Sequence, residues 1–421
     1  MQVDLAYGRG VLSVDLPDDR TVVITPRHAE RVNDEHAALM ESLDSPIGSL
    51  PLRQRIKAED KLCVLFTDST RATPNERMVP WLLDHLAGHP RENIVLLNQL
   101  GTHRANTEEE LAQMLTPEVL ANYEVINHDC YNAAELVQVG ELKDGARALL
   151  NRRAVEADLR IVTGFIEPHF FAGFSGGPKG LMPGVAGLES VMSNHGYRNI
   201  GDPNATFGIT HGNPLWEELL RIAKLAGPSF LINVTLNEQR QITDVYSGDL
   251  EEAHRRGCAA VKESAMQQVK EPFDIVVTTN SGFPLDQNLY QGVKGMTAAG
   301  RIVKAGGLII LACECSDGVP SGSPFERLLD DAGSAEEILG LLAAGGPPRA
   351  EQWQAQIQAL LQRKAEVMVY SGLPPDVIKG CHLSPCADVG QAVRERLAKL
   401  PADARVAVLP QGPLTIPYLA G

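Results

Sequence analysis

Short apolar segments alternate along the chain with longer segments in which apolar residues recur at helical spacing. The short segments predict strands at Leu62–Phe66, Ile94–Leu97, Tyr123–Ile126, Leu159–Thr163, Phe230–Val234, Ile275–Thr278, Leu308–Ala312, Val367–Tyr370 and Val406–Leu409. The longer segments predict helices that include Glu76–Leu86, Thr107–Leu115, Pro214–Leu225, Leu250–Val269 and Gln352–Ala365. This alternation indicates an α/β fold with mainly parallel sheets covered by helices on both faces, but it leaves the strand order open.

The length of the chain, 421 residues, favours two domains, because one hydrophobic core seldom organises so long a chain. We expect a boundary near Val269–Pro272, where a long charged helix ends and a new strand begins. The sequence therefore predicts two α/β domains, 1–270 and 271–421. Since open α/β sheets bind ligands at the carboxyl ends of strands and in clefts, we expect the active site in the interdomain cleft.

Composition narrows the classes of function. The net charge is -15 and no lysine- or arginine-rich block is present, which argues against nucleic acid or an anionic membrane as partner. No apolar run reaches the roughly 18–20 residues that span a bilayer. Because the first residues lack the basic start and apolar block of a secretory signal, we expect a cytoplasmic location. The seven cysteines form no CxxC pair, which is typical of reduced structural thiols.

Two clusters of polar residues directly follow predicted strands in the first half of the chain. Thr67–Arg71 follows the first strand and places Asp68 and Arg71 at a strand-to-helix turn, where backbone N–H groups and a guanidinium can bind an anion. A helix cap with a surface ion pair explains the same residues. His103 follows the second strand and is placed to act as a general acid or base, although a structural role is the more common one for a single histidine.

A third cluster, Glu167–Gly187, is called the glycine loop here because glycines are dense in it. It contains His169 and Lys179, and its glycines allow the backbone to approach a bound group closely. It is not a P-loop, because Pro178 precedes the lysine and Gly180 stands where a P-loop has Ser or Thr. The chain also lacks a GxGxxG dinucleotide fingerprint after its first strand.

Two further clusters complete the set. His195 follows the glycine loop, and imidazole is a common ligand of nickel, copper and zinc, although a structural histidine is the commoner case. In the second predicted domain, Tyr290 and Lys294 share one face of a helix next to Gln291. These three side chains can bind a carboxylate, and a solvated helix start is the alternative. Trp353 lies in an amphipathic helix, where packing is its usual role.

In this order the clusters resemble the nickel-dependent lactate racemase family, the nickel-pincer nucleotide racemases and epimerases. The resemblance extends over nearly the whole chain. It rests on Asp68-Ser69-Thr70-Arg71, Gly101-Thr102-His103, Glu167-Pro168-His169, Ser175-Gly176-Gly177-Pro178-Lys179, Asn194-His195 and Tyr290-Gln291-Gly292-Val293-Lys294. The combination of Pro168-His169 with Gly176-Gly177-Pro178-Lys179 is its most specific part.

The resemblance implies roles for these residues. Nickel would be held in a pyridinium bis-thio mononucleotide, the nickel-pincer nucleotide, which would be covalently attached at Lys179. His195 would be the metal ligand from the protein, and His103 and His169 would be the paired acid/base residues. Asp68, Ser175, Gly176 and Gly177 would contact the cofactor, and Arg71, Tyr290, Gln291, Lys294 and Trp353 would bind the substrate.

The reaction that the resemblance implies is racemisation or epimerisation at C2 of a 2-hydroxy carboxylic acid by reversible hydride transfer to the bound nucleotide. Lactate, a longer hydroxy acid and a sugar acid all fit as substrates, and separate proteins would build the cofactor. Two alternatives come from other classes of protein. One is a nicotinamide-dependent hydroxy-acid oxidoreductase, which the missing GxGxxG disfavours. The other is a non-catalytic anion- or nucleotide-binding protein on the same fold.

Overall fold

Two six-stranded sheets organise the chain in the computed structural model, which describes residues 1–27, 29–237, 239–345 and 349–419. The strands are β1 (Gln2–Tyr7), β2 (Gly10–Asp15), β3 (Thr21–Val23), β4 (Leu62–Phe66), β5 (Ile94–Asn98), β6 (Glu124–Asn127), β7 (Leu136–Glu141), β8 (Arg147–Asn151), β9 (Leu159–Phe165), β10 (Pro168–His169), β11 (Gly173–Phe174), β12 (Ser229–Leu236), β13 (Ile242–Gly248), β14 (Met266–Val269), β15 (Phe273–Thr279), β16 (Val303–Ala312), β17 (Glu366–Tyr370), β18 (Ser384–Pro385), β19 (Val406–Leu409) and β20 (Ile416–Leu419).

The helices surround these sheets. They are α1 (Glu35–Asp44), α2 (Asn75–His85), α3 (Glu108–Leu115), α4 (Pro117–Asn122), α5 (Arg152–Val155), α6 (Leu188–Asn194), α7 (Tyr197–Ile200), α8 (Pro214–Leu225), α9 (Glu252–Ala265), α10 (Leu289–Gly300), α11 (Pro324–Asp330), α12 (Ala335–Ala343), α13 (Gln352–Lys364), α14 (Pro375–Gly380) and α15 (Val389–Leu397). Short 3-10 turns occur at Leu52–Gln54, Arg91–Asn93, Ala133–Glu135, Gly177–Gly180 and Gly412–Leu414. None of the described helices combines the length and the apolar character needed to cross a membrane.

The chain divides into two compact units. The central unit comprises His28–His195 and Asn204–Lys262, and the terminal unit comprises Met1–Arg27, Gly196–Pro203 and Glu263–Gly421. The first residues of the chain join the terminal unit because β3 pairs with β19 in its sheet. The domain bounds 1–270 and 271–421 stay a prediction; the compact units differ from them because Met1–Arg27 and Gly196–Pro203 belong to the terminal unit.

The central sheet has the order β13-β12-β9-β4-β5-β6 and is parallel except for its edge pair, β12 and β13. Its core forms where buried residues of the strands, such as Val64 and Ile161, pack against helix residues such as Leu43 and Leu82. Both faces of β4 and β9 are covered, so every residue of these strands is buried, and all are apolar except Arg160 and Thr163 of β9. That is the pattern from which the sequence predicted them.

The terminal sheet has the order β18-β17-β16-β15-β19-β3 and is parallel throughout. Its core includes Ile275, Ile310 and Val408 from the strands and Val393 from α15. The prediction of an α/β fold with mainly parallel sheets is therefore confirmed.

The nine predicted strands are all present, and β4 and β19 have the predicted bounds. One predicted helix, Leu250–Val269, is wrong at its end. The helix stops at Ala265, and Met266–Val269 form β14, which pairs with β20. Helical spacing continued through these four residues in the sequence, but pairing with a strand 150 residues away along the chain (Met266 opposite Ile416) decides their structure.

Arg160 is a buried cation in the core of the central unit, with 1% of its surface exposed. Its guanidinium donates to the carbonyl oxygens of Pro228 at 2.8 Å, Ala154 at 2.9 Å and Ala226 at 2.6 Å. Ala154 and Ala226 lie at the carboxyl ends of helices, where carbonyl oxygens carry partial negative charge. Gly227 makes room, since a Cβ there would lie 2.9 Å from the Arg160 guanidinium. Burial disfavours the charged form of Arg160 and lowers its pKa. The hydrogen bonds to backbone carbonyl oxygens offset this loss of hydration.

Replacing Arg160 should destabilise the central unit. Arg160→Met leaves several buried carbonyl oxygens without a donor, and we expect the free energy of unfolding to fall by about 2–4 kcal/mol. Urea denaturation followed by circular dichroism measures the change. Arg153→Met is the matched control, because Arg153 forms an exposed ion pair with Glu124 at 3.1 Å and should contribute at most about 1 kcal/mol. Equal midpoints for the two variants would contradict the assigned role of Arg160.

Candidate active site

Three of the five clusters lie on turns that follow neighbouring strands of the central sheet. Thr67–Arg71 follows β4, Gly101–Arg104 follows β5, and the glycine loop follows β9. Because these strands are parallel neighbours, the three turns leave the same edge of the sheet. The strand order also changes direction between β4 and β9, which is where open α/β sheets commonly bind ligands.

Asp68 organises the first of these turns. Its Oδ1 accepts a hydrogen bond from the Thr70 backbone N–H at 2.7 Å, and its Oδ2 lies 3.1 Å from His103 Nδ1 and 3.9 Å from Arg71 Nε. Burial alone would raise the pKa of Asp68, but the hydrogen bond from His103 and the charge of Arg71 outweigh it and lower the pKa to about 2. The carboxylate is therefore ionised and orients the ring of His103, whose side chain is 41% exposed.

The backbone of the glycine loop is fixed by contacts from three sides. Ser175 Oγ donates to the carbonyl of Phe165 at 2.9 Å, and Asn233 Oδ1 accepts from the Gly177 N–H at 2.7 Å. His254 Nε2–H donates to the Ser175 carbonyl at 2.8 Å. Gly177 has a φ of +56°, and a Cβ on it would lie 2.5 Å from His254 Cγ. A larger residue is therefore excluded at this position both by conformation and by space.

Lys179 lies on the 3-10 turn of the glycine loop and is half-buried. Burial removes water from its ammonium group, and the guanidinium of Arg71 opposes a second positive charge nearby. Together they lower the pKa of Lys179 to about 7. At neutral pH a substantial fraction of the protein molecules therefore has a neutral Lys179 amine, and a neutral amine is a nucleophile.

Phe171 brings three of the predicted site residues together. Its ring lies edge-on to the rings of His169, at 4.5 Å between centroids, and His195, at 5.0 Å. Lys179 Nζ lies 5.6 Å from the centroid of the same ring. Phe171 itself is buried. An aromatic ring in this position keeps the three side chains within one small volume.

His195 follows directly after α6 and has a buried side chain. Burial, reinforced by the charge of Lys179, lowers the pKa of His195 to about 3, so the imidazole is neutral, the form that binds metals. Its neighbour Asn194 donates to Glu218 Oε2 at 3.0 Å. Glu218 is buried and also accepts from the Lys143 N–H at 2.7 Å, which anchors the end of α6.

The remaining predicted residues lie in the terminal unit. Tyr290 and Lys294 are one turn apart on α10, as the sequence predicted, and Gln291 lies between them. Asn288 begins this helix, because its side chain accepts from the Gln291 N–H at 3.0 Å. Trp353 is buried on α13, which packs against α10.

Three residues that support the site were not found from the sequence: His254, Asn233 and Glu218. Each is buried on a helix or strand and contacts a part of the chain at least 24 positions away. The one signal in the sequence is that each is a polar residue among apolar neighbours on its face of the helix or strand. Many purely structural residues show the same signal.

Comparison with known proteins relates this chain to lactate racemases over 97% of its length. The family models named lactate racemase N-terminal domain and lactate racemase C-terminal domain match residues 7–208 and 268–416. The chain is 34% identical over 417 residues to a lactate racemase of Thermoanaerobacterium thermosaccharolyticum, covering 97% of both chains. It is 35% identical over 419 residues to a lactate racemase of Lactiplantibacillus plantarum, covering 97% of this chain and 98% of that one.

Solved structures agree with these matches. The lactate racemase apoprotein from Thermoanaerobacterium thermosaccharolyticum superposes with a TM-score of 0.92 at 32% identity, over 99% of this chain and 100% of that one. A crystal structure of a protein from Thermotoga maritima superposes with a TM-score of 0.66 over 91% of this chain and 98% of that one. At 19% identity, the second likeness concerns the fold alone.

The lowered pKa of Lys179 should make stability depend on pH. The folded chain loses this proton near pH 7, whereas an unfolded chain keeps it until about pH 10.4. Between these values the unfolded chain binds more protons, so raising the pH favours the folded chain. Buried thiols such as Cys63 have raised pKa values and act in the opposite direction, so the test is the difference between variant and unchanged chain. The urea midpoint of Lys179→Met should rise less, or fall more, between pH 7 and pH 9 than that of the unchanged chain, because the variant lacks the contribution of Lys179.

Lys143→Met is the control, because Lys143 is exposed and its ammonium lies 4.0 Å from Glu217. This variant should keep the pH dependence of the unchanged chain. A rise that survives Lys179→Met at full size would mean that another group titrates in this range.

Proposed function

Because this chain belongs to the lactate racemase family and is an isomerase, we propose that it inverts the configuration at C2 of a 2-hydroxy carboxylic acid. The observation that carries the proposal is the placement of Lys179 and His195 about the ring of Phe171. One offers a nucleophilic amine and the other a neutral imidazole. His169 contacts the same ring.

We propose the nickel-pincer nucleotide as cofactor, attached at Lys179 and with nickel bound by His195. Among the residues that the structure describes, no three His, Cys, Asp or Glu side chains are grouped so that they could hold a metal ion. A metal at His195 therefore needs its other ligands from a bound molecule, and the two sulfur arms and ring carbon of the pincer fit that need. When bound, this cofactor would take up the hydrogen at C2 as hydride and return it.

The backbone around Lys179 suits such a molecule. Ser175, Gly176 and Gly177 lie beside the lysine in the glycine loop, and glycine leaves the backbone open to close approach. Together with Asp68 they are proposed to contact the cofactor. His254 and Asn233 fix this backbone through hydrogen bonds to the Ser175 carbonyl and the Gly177 N–H.

The acid/base residues are proposed to be His103 and His169. Loss of hydride from C2 requires that the hydroxyl proton leaves too, and the product is a planar 2-keto acid. Two proton-transferring groups are needed because the two enantiomers present their hydroxyls differently. Histidine titrates near neutrality and suits this task.

We propose that cationic side chains bind the substrate carboxylate. Arg71 in the central unit is partly exposed, and its guanidinium can bind a carboxylate through two donors. In the terminal unit, Lys294, Tyr290 and Gln291 offer an ammonium, a phenol and an amide on one helix, with Trp353 on the neighbouring helix. Fixing the carboxylate orients C2 for inversion.

Lactate is one proposed substrate, since the relatives of this chain are named lactate racemases. Longer hydroxy acids and sugar acids carry the same 2-hydroxy carboxylate and are proposed beside it. We further propose a cytoplasmic location and maturation by separate proteins that build the cofactor.

The test begins with the chain co-produced with the cofactor-building proteins. We expect an increase in intact mass at Lys179, nickel in proportion to protein, and conversion of one enantiomer of a 2-hydroxy acid into both. A panel of lactate, longer hydroxy acids and sugar acids, followed by chiral chromatography, measures the conversion. If a known racemase loads in parallel but this chain gains no mass, the cofactor proposal is wrong.

Variants separate loading from catalysis. Lys179→Ala should lose the mass increase, whereas Lys224→Ala, which removes an exposed partner of Glu251, should keep it. His103→Gln and His169→Gln should load normally and lose activity by about 100-fold or more. A fully loaded chain that inverts no acid on the panel would contradict the proposed reaction.

A further inference from the structure

We propose that the resting protein holds His103 and His169 in opposite tautomers, so that the two histidines are not equivalent. At Nε2, His103 presents a lone pair and His169 presents a hydrogen. The tautomers are inferred from hydrogen bonds at Nδ1 of each ring, and only their catalytic meaning rests on the proposed function.

The tautomer of His103 follows from its contact with Asp68. Nδ1 lies 3.1 Å from Asp68 Oδ2, and an ionised carboxylate can only accept a hydrogen bond. The hydrogen of the neutral ring must therefore be on Nδ1. Nε2 is left with its lone pair and can take a proton from a substrate hydroxyl.

The tautomer of His169 follows from backbone donors. Its Nδ1 accepts from the N–H of Ala172 at 3.2 Å and from that of Phe171 at 3.5 Å. A backbone N–H can only donate, so Nδ1 must be unprotonated and the neutral ring carries its hydrogen on Nε2. The ring is held in this orientation by stacking on Phe170 at 5.0 Å and by the edge contact with Phe171 at 4.5 Å.

This asymmetry gives the two histidines different first tasks. His103 is ready to accept a hydroxyl proton, whereas His169 is ready to donate a hydrogen bond to an oxygen. Before His169 can act as a base through Nε2, its hydrogen must move to Nδ1, and the hydrogen bond from Ala172 is lost. The form of the protein that serves this second enantiomer is therefore the minor one, by about tenfold for the loss of the partly buried hydrogen bonds at Nδ1.

The kinetic consequence is constrained by thermodynamics. Two enantiomers are equally stable, so kcat/KM must be the same in both directions of a racemisation. If tautomer exchange is fast, KM for the enantiomer that binds the minor form is raised by about tenfold, and kcat is raised by the same factor.

The direct test is 15N NMR of the imidazole nitrogens in the full chain before cofactor loading, labelled in its 11 histidines. His103→Gln and His169→Gln identify the two sets of signals by their disappearance. In the neutral rings, the nitrogen without hydrogen resonates far downfield of the other. We expect that nitrogen to be Nε2 in His103 and Nδ1 in His169. The same tautomer in both rings would overturn the inference.

Asp68→Ala adds a second measurement, because it removes the acceptor at His103 Nδ1. We expect the signals of His103 to move towards the Nε2–H form while those of His169 stay in place, which also reports that the turn near His169 is intact. Unchanged His103 signals would refute the role of Asp68. If the tautomers are opposite but the chain inverts no hydroxy acid, the proposed function is contradicted and this inference stands. If the chain is a racemase but both histidines have the same tautomer, this inference is contradicted and the proposed function stands.

Discussion

The removal of positive charge around Lys179 is the constraint on which the candidate site depends. Burial lowers the pKa values of Lys179, His195 and His254, and the nearness of these groups to one another and to Arg71 lowers them further. Each group therefore tends to keep a lone pair at neutral pH, which is what a nucleophile or a metal ligand requires. In contrast, Asp68 is stabilised in its charged form.

Most of these groups lie on loops, but side chains from neighbouring helices and strands also fix their positions. The glycine loop is fixed by Asn233 from the adjacent strand and by His254 from α9. The end of α6, next to His195, is fixed by the buried carboxylate of Glu218 on α8. Polar residues inside the fold, rather than at its surface, therefore determine where the reactive atoms lie.

Much of this arrangement was accessible from the sequence. Short, mainly apolar segments predicted β4 and β9, and polar clusters after those strands predicted which turns carry chemistry. The strand order was not accessible, because pairing joins segments that are far apart and periodicity does not encode the partner. For the same reason Met266–Val269 were misjudged, and His254 was missed, since its partner is a backbone carbonyl 79 positions away.

The close packing of Gly177 on the ring of His254 has an evolutionary consequence. A side chain at position 177 would need the space that the imidazole occupies, and a smaller residue at position 254 would give up the hydrogen bond to the Ser175 carbonyl. A residue larger than glycine at position 177 therefore requires a smaller residue at position 254. Among distant relatives these two positions should therefore covary, and a glycine lost from the first should be accompanied by a histidine lost from the second.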